Sequence, residues 1–210
     1  MKKRGNPAEP DTDIYLQCMT EIRGRLDTVM FLNYTEKVFG WTRDFIVESQ
    51  FIQLRKVLEL IAFGSLTANQ AKYAIAHAEF ERHWKAAKML GALEKVNPEF
   101  YPLPLMVDKK RTEESGRQRF HYRVVEEGVL TKEDFVFLYD ISSRVLHTRN
   151  PFASRAPIEI QRDIPVWVER IRQLIRVHSM FFVDDRRWLI HVPDTGKVTV
   201  FTAMANDSII

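Results

Sequence analysis

Apolar residues recur every three or four positions along most of this chain, which is the period of a helix that buries one face. The first such stripe, between residues 12 and 32, consists of Ile14, Cys18, Ile22, Leu26 and Val29. Comparable stripes predict further helices over residues 44–66, 68–95, 131–147 and 158–178. The pattern therefore predicts a mainly α protein, with a helical bundle over residues 12–180.

The hydrophobic period changes near residue 180. Three runs rich in β-branched and aromatic residues follow, MFFVDD, RRWLIHV and KVTVFTA. Turn-forming residues separate these runs at Asp184–Asp185 and at Pro193–Gly196. We therefore expect a C-terminal antiparallel β-meander over residues 181–205, packed on the helical bundle as part of the same domain.

Breaks in the apolar stripes predict where the first three helices begin and end. Residues 33–40 are expected to connect the first two helices, and Thr67 is expected to cap the third. Asn97 and Pro98 are expected to end that helix, because the residue before a proline disfavours helical geometry. Residues 97–104, with three prolines, are predicted to form an extended strap.

Similar signals apply to the second half of the chain. Residues 108–116 (DKKRTEESG) are charged and lack apolar residues, which predicts a loop, and the following RQRFHYRVV predicts a short strand. Thr131 is expected to cap the next helix, with Asp134 three residues further on. Pro165 is expected to lie in the first turn of the last helix.

The lone cysteine and the N-terminal sequence bear on where in the cell the protein is expected. Cys18 lies within an apolar stripe and has no partner for a disulfide, so we expect a buried thiol and a reducing compartment such as the cytoplasm. Residues 1–11 are polar and are predicted to form a flexible tail. Charges interrupt every apolar run well before the roughly 18 residues that a membrane span requires.

Several chemistries lack their motifs in this sequence. The eight glycines form neither GxGxxG nor a phosphate-binding GxxxxGK, and there is no GxSxG. His77 and His83 are six residues apart, which places them on different helix faces and does not suit a zinc site. We therefore expect no cofactor and no catalytic metal.

Basic residues cluster around the predicted strand. Lys109 and Lys110 precede it, and Arg117, Arg119 and Arg123 alternate there with aromatic residues. Phosphate pairing combined with base stacking requires this mixture, which makes these residues candidates for RNA binding. A strand with one solvated basic face would have the same sequence pattern.

One charged pair interrupts the apolar surface of the second helix. Arg55 and Glu59 are one turn apart and are expected to form an ion pair. Structural pairing explains their presence, since unpaired charges within an apolar stripe are costly. In the alternative interpretation, Arg55 positions a phosphate or a catalytic histidine through its guanidinium group.

The segment LYDISSRVLHTRNPF, residues 138–152, carries the sharpest functional pattern. It places His147 in the last turn of a helix, with Arg144 one turn earlier and Arg149 and Asn150 just beyond. Histidine can exchange a proton near neutral pH, and arginines can hold a phosphodiester beside it, which suits metal-independent RNA cleavage. In the alternative interpretation, His147 caps the helix C-terminus and is favoured there by the helix dipole.

The helix ending in LYDISSRVLH resembles the signature helix of the HEPN superfamily of small helical bundles, which are frequent in prokaryotic toxins and defence systems. His147 matches the family histidine. This alignment puts Ser142 or Ser143 where the family arginine commonly stands, and only two residues separate Arg144 from His147.

The resemblance implies an RNA-associated protein that acts as a metal-independent endoribonuclease and pairs as a homodimer. It implies that His147 acts on the attacking 2′-hydroxyl or on the leaving oxygen, while Arg144 or Arg149 stabilises charge on the phosphate. The displaced arginine favours an alternative, a non-catalytic helical scaffold that docks a partner protein.

Overall fold

The computed structural model describes residues 12–39, 43–76, 86–112, 118–147, 161–182 and 186–204. Its elements follow one another as α1 (Thr12–Phe39), α2 (Arg43–Ala76), α3 (Ala86–Val96), β1 (Leu103–Thr112), β2 (Gln118–Val124), α4 (Lys132–Leu146), α5 (Ile164–Ile175), β3 (Val177–Phe181), β4 (Arg186–His191) and β5 (Thr199–Met204). The predicted fold class, mainly α with a minor antiparallel sheet, is confirmed.

The two longest helices, α1 and α2, pack along each other. Cys18, Ile22, Leu26 and Val29 of the predicted α1 stripe are buried, whereas Ile14 in the first turn is exposed. Gly64 of α2 lies against α1, where an added Cβ atom would come within 3.2 Å of Met19 and Tyr15 side-chain atoms. Glycine therefore permits the close approach of the two helices.

Two predicted boundaries in this region are wrong. The helix α1 continues to Phe39, through most of the segment predicted as a connection. Thr67 lies inside α2 and does not cap a new helix, because its hydroxyl donates to the Phe63 carbonyl at 2.9 Å within the same helix. The segment predicted as a third helix therefore contributes its first residues to α2 and its last residues to α3, and Trp84 in that segment lies outside the described residues.

The helix α3 ends at Val96, as Asn97 and Pro98 predict. The buried amide of Asn97 donates to the Asn69 side chain at 2.8 Å and to the Phe181 carbonyl at 2.9 Å, and its oxygen accepts from the Glu99 N–H at 3.0 Å. These bonds connect the turn after α3 to α2 and to β3.

The starts of α4 and α5 agree with the sequence signals. The Thr131 hydroxyl accepts a hydrogen bond from the Asp134 N–H at 3.1 Å, which confirms the predicted cap. Pro165 lies in the first turn of α5, as predicted, although the helix begins at Ile164 and not at residue 158. It ends at Ile175 and not at His178, because the backbone from Val177 onward pairs with β4 in the sheet.

A five-stranded antiparallel sheet has the order β2-β1-β3-β4-β5. The strands β3, β4 and β5 form the predicted meander, and β2 is the predicted short strand. The predicted loop is wrong over residues 108–112, which belong to β1 and pair with β2. Backbone pairing satisfies the polar groups of this hairpin although its side chains are mostly polar.

The helices and the sheet share one cluster of buried apolar side chains. It contains residues from all five described helices and from β3 and β4, with Trp167 and Phe51 fully buried and Trp188 nearly so. No helix in the described part of the chain has the length and apolar character needed to cross a membrane.

Candidate functional site

His147 follows directly after the last residue of α4 and forms the end of that helix. Its backbone is extended, with φ −76° and ψ 126°, and its N–H donates to the Ser143 carbonyl at 3.2 Å. The imidazole itself is exposed and makes no hydrogen bond among the residues that the structure describes. The backbone of His147 therefore completes the last turn, and its side chain is not used as a cap.

Arg144 lies in the last turn of α4, three residues before His147. Residues three and four apart are neighbours on a helix surface, so the two side chains belong to one patch. The Arg144 side chain is also exposed, and within the described ranges it forms no ion pair. A cation at a helix C-terminus is favoured by the helix dipole. The two predicted catalytic residues thus present an imidazole and a guanidinium to solvent.

Arg55 of α2 contacts α4 immediately before this patch. Its guanidinium donates to the Ser143 hydroxyl at 3.0 Å, to the Tyr139 hydroxyl at 2.9 Å and to Glu59 at 3.2 Å. The predicted ion pair between Arg55 and Glu59 is confirmed. These contacts use three of the five N–H donors of a guanidinium. Arg55 therefore links α2 to α4 across 88 residues of chain.

Tyr139, Ser143 and His147 are spaced by four residues and occupy one row along α4. Ser143 donates to the Tyr139 carbonyl at 3.0 Å while it accepts from Arg55. Tyr139 also bonds Glu59, at 3.4 Å, and burial raises the pKa of its hydroxyl. The row begins with residues held by α2 and ends with the exposed imidazole of His147.

Ser142 and Ser143 occupy the positions where the HEPN family commonly has its arginine. Ser142 is fully buried and donates to the Leu138 carbonyl at 2.7 Å, so it faces the core. Ser143 faces α2, and Arg55 places a guanidinium against it. An arginine therefore reaches this part of α4 from a different helix.

The remaining predicted site residues lie elsewhere or cannot be placed. Arg149, Asn150 and Arg117 fall outside the described residues. Lys109, Lys110, Arg119 and Arg123 belong to the β1–β2 hairpin, in which Lys110 and Arg123 are exposed. The structure thus places Arg144 and His147 at the C-terminal end of α4, joins Arg55 and Glu59 to Tyr139 and Ser143 earlier along that helix, and places the basic strand residues in a separate element.

A second histidine, His178, is not singled out by the sequence, which predicts it at the end of the last helix. His178 is fully buried in β3; its Nδ1 lies 2.8 Å from the Ile175 carbonyl and its Nε2 lies 2.6 Å from the Tyr15 hydroxyl. A carbonyl only accepts, so Nδ1 carries the proton and Tyr15 donates to Nε2. Burial lowers the pKa of His178 to about 4. This histidine is neutral and structural.

Sequence reasoning also missed the partners of Arg55. The four-residue spacing of Tyr139, Ser143 and His147 is visible in the sequence, and it was the only signal available for this row. No local pattern connects Arg55 with residues more than 80 positions away. Cys18 is buried as expected, and burial raises the pKa of its thiol to about 11.

In the described ranges, no three histidine, cysteine, aspartate or glutamate side chains form a cluster that could hold a metal ion. Comparison with known proteins gives no match among protein-family models, curated proteins or solved structures.

Proposed function

We propose that this protein is a HEPN-like, RNA-associated protein that cleaves RNA without a metal ion, with its reactive groups at the C-terminal end of α4. The exposed pair of His147 and Arg144 supports this proposal most directly. Both side chains face solvent and neither has a partner within the described part of the chain, so both are accessible to a substrate.

The chemistry requires two proton transfers and stabilisation of a negatively charged phosphorane. His147 accepts the proton of a ribose 2′-hydroxyl while the 2′-oxygen bonds to phosphorus and the bond from phosphorus to the 5′-oxygen breaks. The leaving 5′-oxygen lies on the opposite side of phosphorus and takes its proton from water, and the imidazolium afterwards releases its proton to solvent. The products are a 2′,3′-cyclic phosphate and a 5′-hydroxyl. Arg144 stabilises the negative charge on the phosphate oxygens during this transfer.

Arg55 supports this site as a positioning residue. Its bonds to Tyr139 and Ser143 hold one row of α4 against α2, and His147 continues that row by one turn. The position and orientation of the imidazole therefore depend on the packing of α4 on α2. Small displacements of a catalytic group have large effects on rate, so this support matters for the proposed activity.

A second candidate function is a non-catalytic scaffold, and one observation favours it. Three aromatic residues near the connection of α1 with α2 are largely exposed: Phe31 at 62%, Tyr34 at 64% and Phe45 at 67%. Exposed aromatic groups of this kind are frequent at protein–protein interfaces. In this function His147 and Arg144 have no chemical role.

A cleavage assay tests the proposal. Purified protein is incubated with mixed RNAs in the presence of a chelator, and we expect products that end in cyclic phosphate. His147→Ala should lower the cleavage rate by about 10²- to 10⁴-fold, the range typical for loss of a general acid or base. His191→Ala is a matched control, because His191 is also exposed but lies in β4.

The same assay separates the two candidate functions. An active wild type, a His147→Ala variant without activity and an unchanged His191→Ala variant would support the nuclease. A wild-type protein that neither cleaves nor binds any RNA would contradict it and leave the scaffold function as the better account. Equal activity in both histidine variants would place the reaction at another site.

A further inference from the structure

The hairpin of β1 and β2 extends beyond the rest of the sheet. β1 pairs with β3 only at Leu103 and Pro104, whereas its pairing with β2 continues from Leu105 to Thr112. We call residues 105–112 together with β2 the arm. The arm is thus a two-stranded ribbon, and β2 forms one edge of the sheet.

The pairing register divides the arm into two faces. Residues directly opposite each other in antiparallel strands share a face, and faces alternate along each strand. One face has the pairs Val107–Tyr122 and Lys110–Phe120, and the other has Met106–Arg123, Lys109–His121 and Arg111–Arg119. The register shifts between Val107 and Lys109, so the irregularity at Asp108 allows the alternation to continue on both sides of it.

The first face presents aromatic rings beside a cation. The residue Phe120 is 41% exposed, and the Lys110 ammonium lies 5.6 Å from the centroid of its ring. The Tyr122 ring follows on the same face, with its centroid 6.4 Å from that of Phe120. An exposed phenyl ring with an adjacent ammonium provides a stacking surface and a charge for a phosphate within one small area.

The second face is basic by its pairing register. Arg123 and His121 are exposed, and the register adds the positions of Lys109, Arg111 and Arg119. The two strands contain five lysines or arginines and one aspartate, and residues 113–117 between them add one arginine and two glutamates. Residues 103–124 therefore have a net charge of +3, equal to that of the whole chain. The positive charge of the protein is thus concentrated in the arm, which favours a polyanionic partner over an ordinary protein surface.

We infer that the arm binds single-stranded RNA, with a base stacked on Phe120 and a phosphate held by Lys110 beside that ring. This inference rests on the proposed RNA association and adds the class of substrate. A basic ribbon alone would bind single strands and duplexes alike. An exposed ring adds affinity only for a strand whose bases are free to stack on it, because the bases of a duplex are already stacked on one another.

Binding measurements on Phe120 variants test the inference. All are made in the His147→Ala background, so that the RNA stays intact, with a fluorescently labelled unstructured oligoribonucleotide and with the same strand annealed to its complement. Phe120→Leu should weaken binding of the single strand by about 5- to 100-fold, which corresponds to the loss of one base stack. It should leave binding of the duplex unchanged. Phe120→Tyr keeps a ring and should retain the affinity for the single strand.

Phe201→Leu provides a matched control. Phe201 is 60% exposed in β5, at the opposite edge of the same sheet, so its replacement removes an exposed ring outside the arm. We expect no change in RNA affinity from this variant. Thermal unfolding of each variant shows whether the hairpin remains folded, and the Phe120→Tyr variant reports the role of the ring even if Phe120→Leu is unstable.

The possible outcomes separate this inference from the proposed function. The inference would be overturned if Phe120→Leu lost affinity equally for the single strand and the duplex. It would also be overturned if the variant lost affinity for neither RNA. If the arm binds single strands as expected but the wild type does not cleave them, the nuclease proposal is wrong and the inference about RNA binding by the arm is retained. If the wild type cleaves RNA and Phe120→Leu binds it with unchanged affinity, the inference about the arm is wrong and the proposed catalytic site at His147 is retained. If the wild type binds no RNA, both proposals are wrong.

Discussion

The two ends of helix α4 differ in how their polar groups are used. At the N-terminal end, the Asp134 carboxylate accepts from Arg162 at 3.0 Å and from Arg170 at 2.7 Å, and the Thr131 hydroxyl accepts the Asp134 N–H. At the C-terminal end, the side chains of Arg144 and His147 face solvent and bond to no described residue.

In the proposed function, the N-terminal end of α4 stabilises the fold and the C-terminal end contacts the substrate. Hydrogen bonds from its backbone and from Thr131 lower the pKa of Glu133, so the charges at the start of α4 also stabilise the helix. Arg144 and His147 at the end of α4 are exposed, and we expect them to contribute little to the stability of the fold. Tyr139 and Ser143 lie between these two ends of α4, and both accept hydrogen bonds from Arg55.

The largest effect that we expect concerns the two histidines, His178 and His147. The pKa of His178 is lowered from 6.5 to about 4 by burial, so the unfolded chain binds a proton between these pH values and the folded protein does not. The free energy of unfolding should therefore fall as the pH decreases from 6.5 to about 4, by about 3 kcal/mol from this group. Urea unfolding at several pH values measures this decrease in the free energy of unfolding.

A variant isolates the contribution of His178. His178→Gln removes the titrating group, so its stability should depend less on pH over this range. His147→Ala leaves His178 in place, so we expect this variant to retain the loss of stability that His178 causes between pH 6.5 and 4. An equal pH dependence in wild type and His178→Gln would contradict the assignment of a buried, neutral imidazole to β3.

The next effect concerns the N-terminal end of α4. Asp134→Ala removes the carboxylate that two arginines share, in a site where its side chain is only 13% exposed. We expect a loss of about 2 kcal/mol in the free energy of unfolding, since hydrogen bonds to charged groups contribute more than neutral ones. Asp140→Ala, on the exposed surface of the same helix, should change stability by less than about 0.5 kcal/mol. Equal losses in the free energy of unfolding from Asp134→Ala and Asp140→Ala would contradict the stabilising role of the Asp134 ion pairs.

The sequence predicts the helices well where the signal is local. Apolar spacing located α1, α2, α4 and α5, and Thr131 and Pro165 marked helix starts that the structure confirms. It failed at Thr67, since a threonine can cap a helix or bond to its own helix, and the local sequence does not decide between these. It failed at β1, because the strand is stabilised by backbone pairing with β2 rather than by an apolar pattern.

Only part of the candidate site could be predicted from the sequence. The sequence predicts His147, Arg144 and the ion pair of Arg55 with Glu59, because all of these follow from helical spacing. Two properties could not be predicted. The exposure of His147 depends on what packs against the end of α4, and the contact of Arg55 with Ser143 depends on the tertiary arrangement of α2 and α4.

The smallest effect on stability tests the central claim most directly, namely that the C-terminal end of α4 serves a ligand and not the fold. The double variant Arg144→Ala, His147→Ala removes both exposed groups. Urea unfolding and RNA cleavage are measured on the same preparation. We predict a change of less than about 0.5 kcal/mol in the free energy of unfolding, as for surface substitutions in general, together with loss of RNA cleavage. A loss of more than about 1 kcal/mol with unchanged cleavage would contradict the claim.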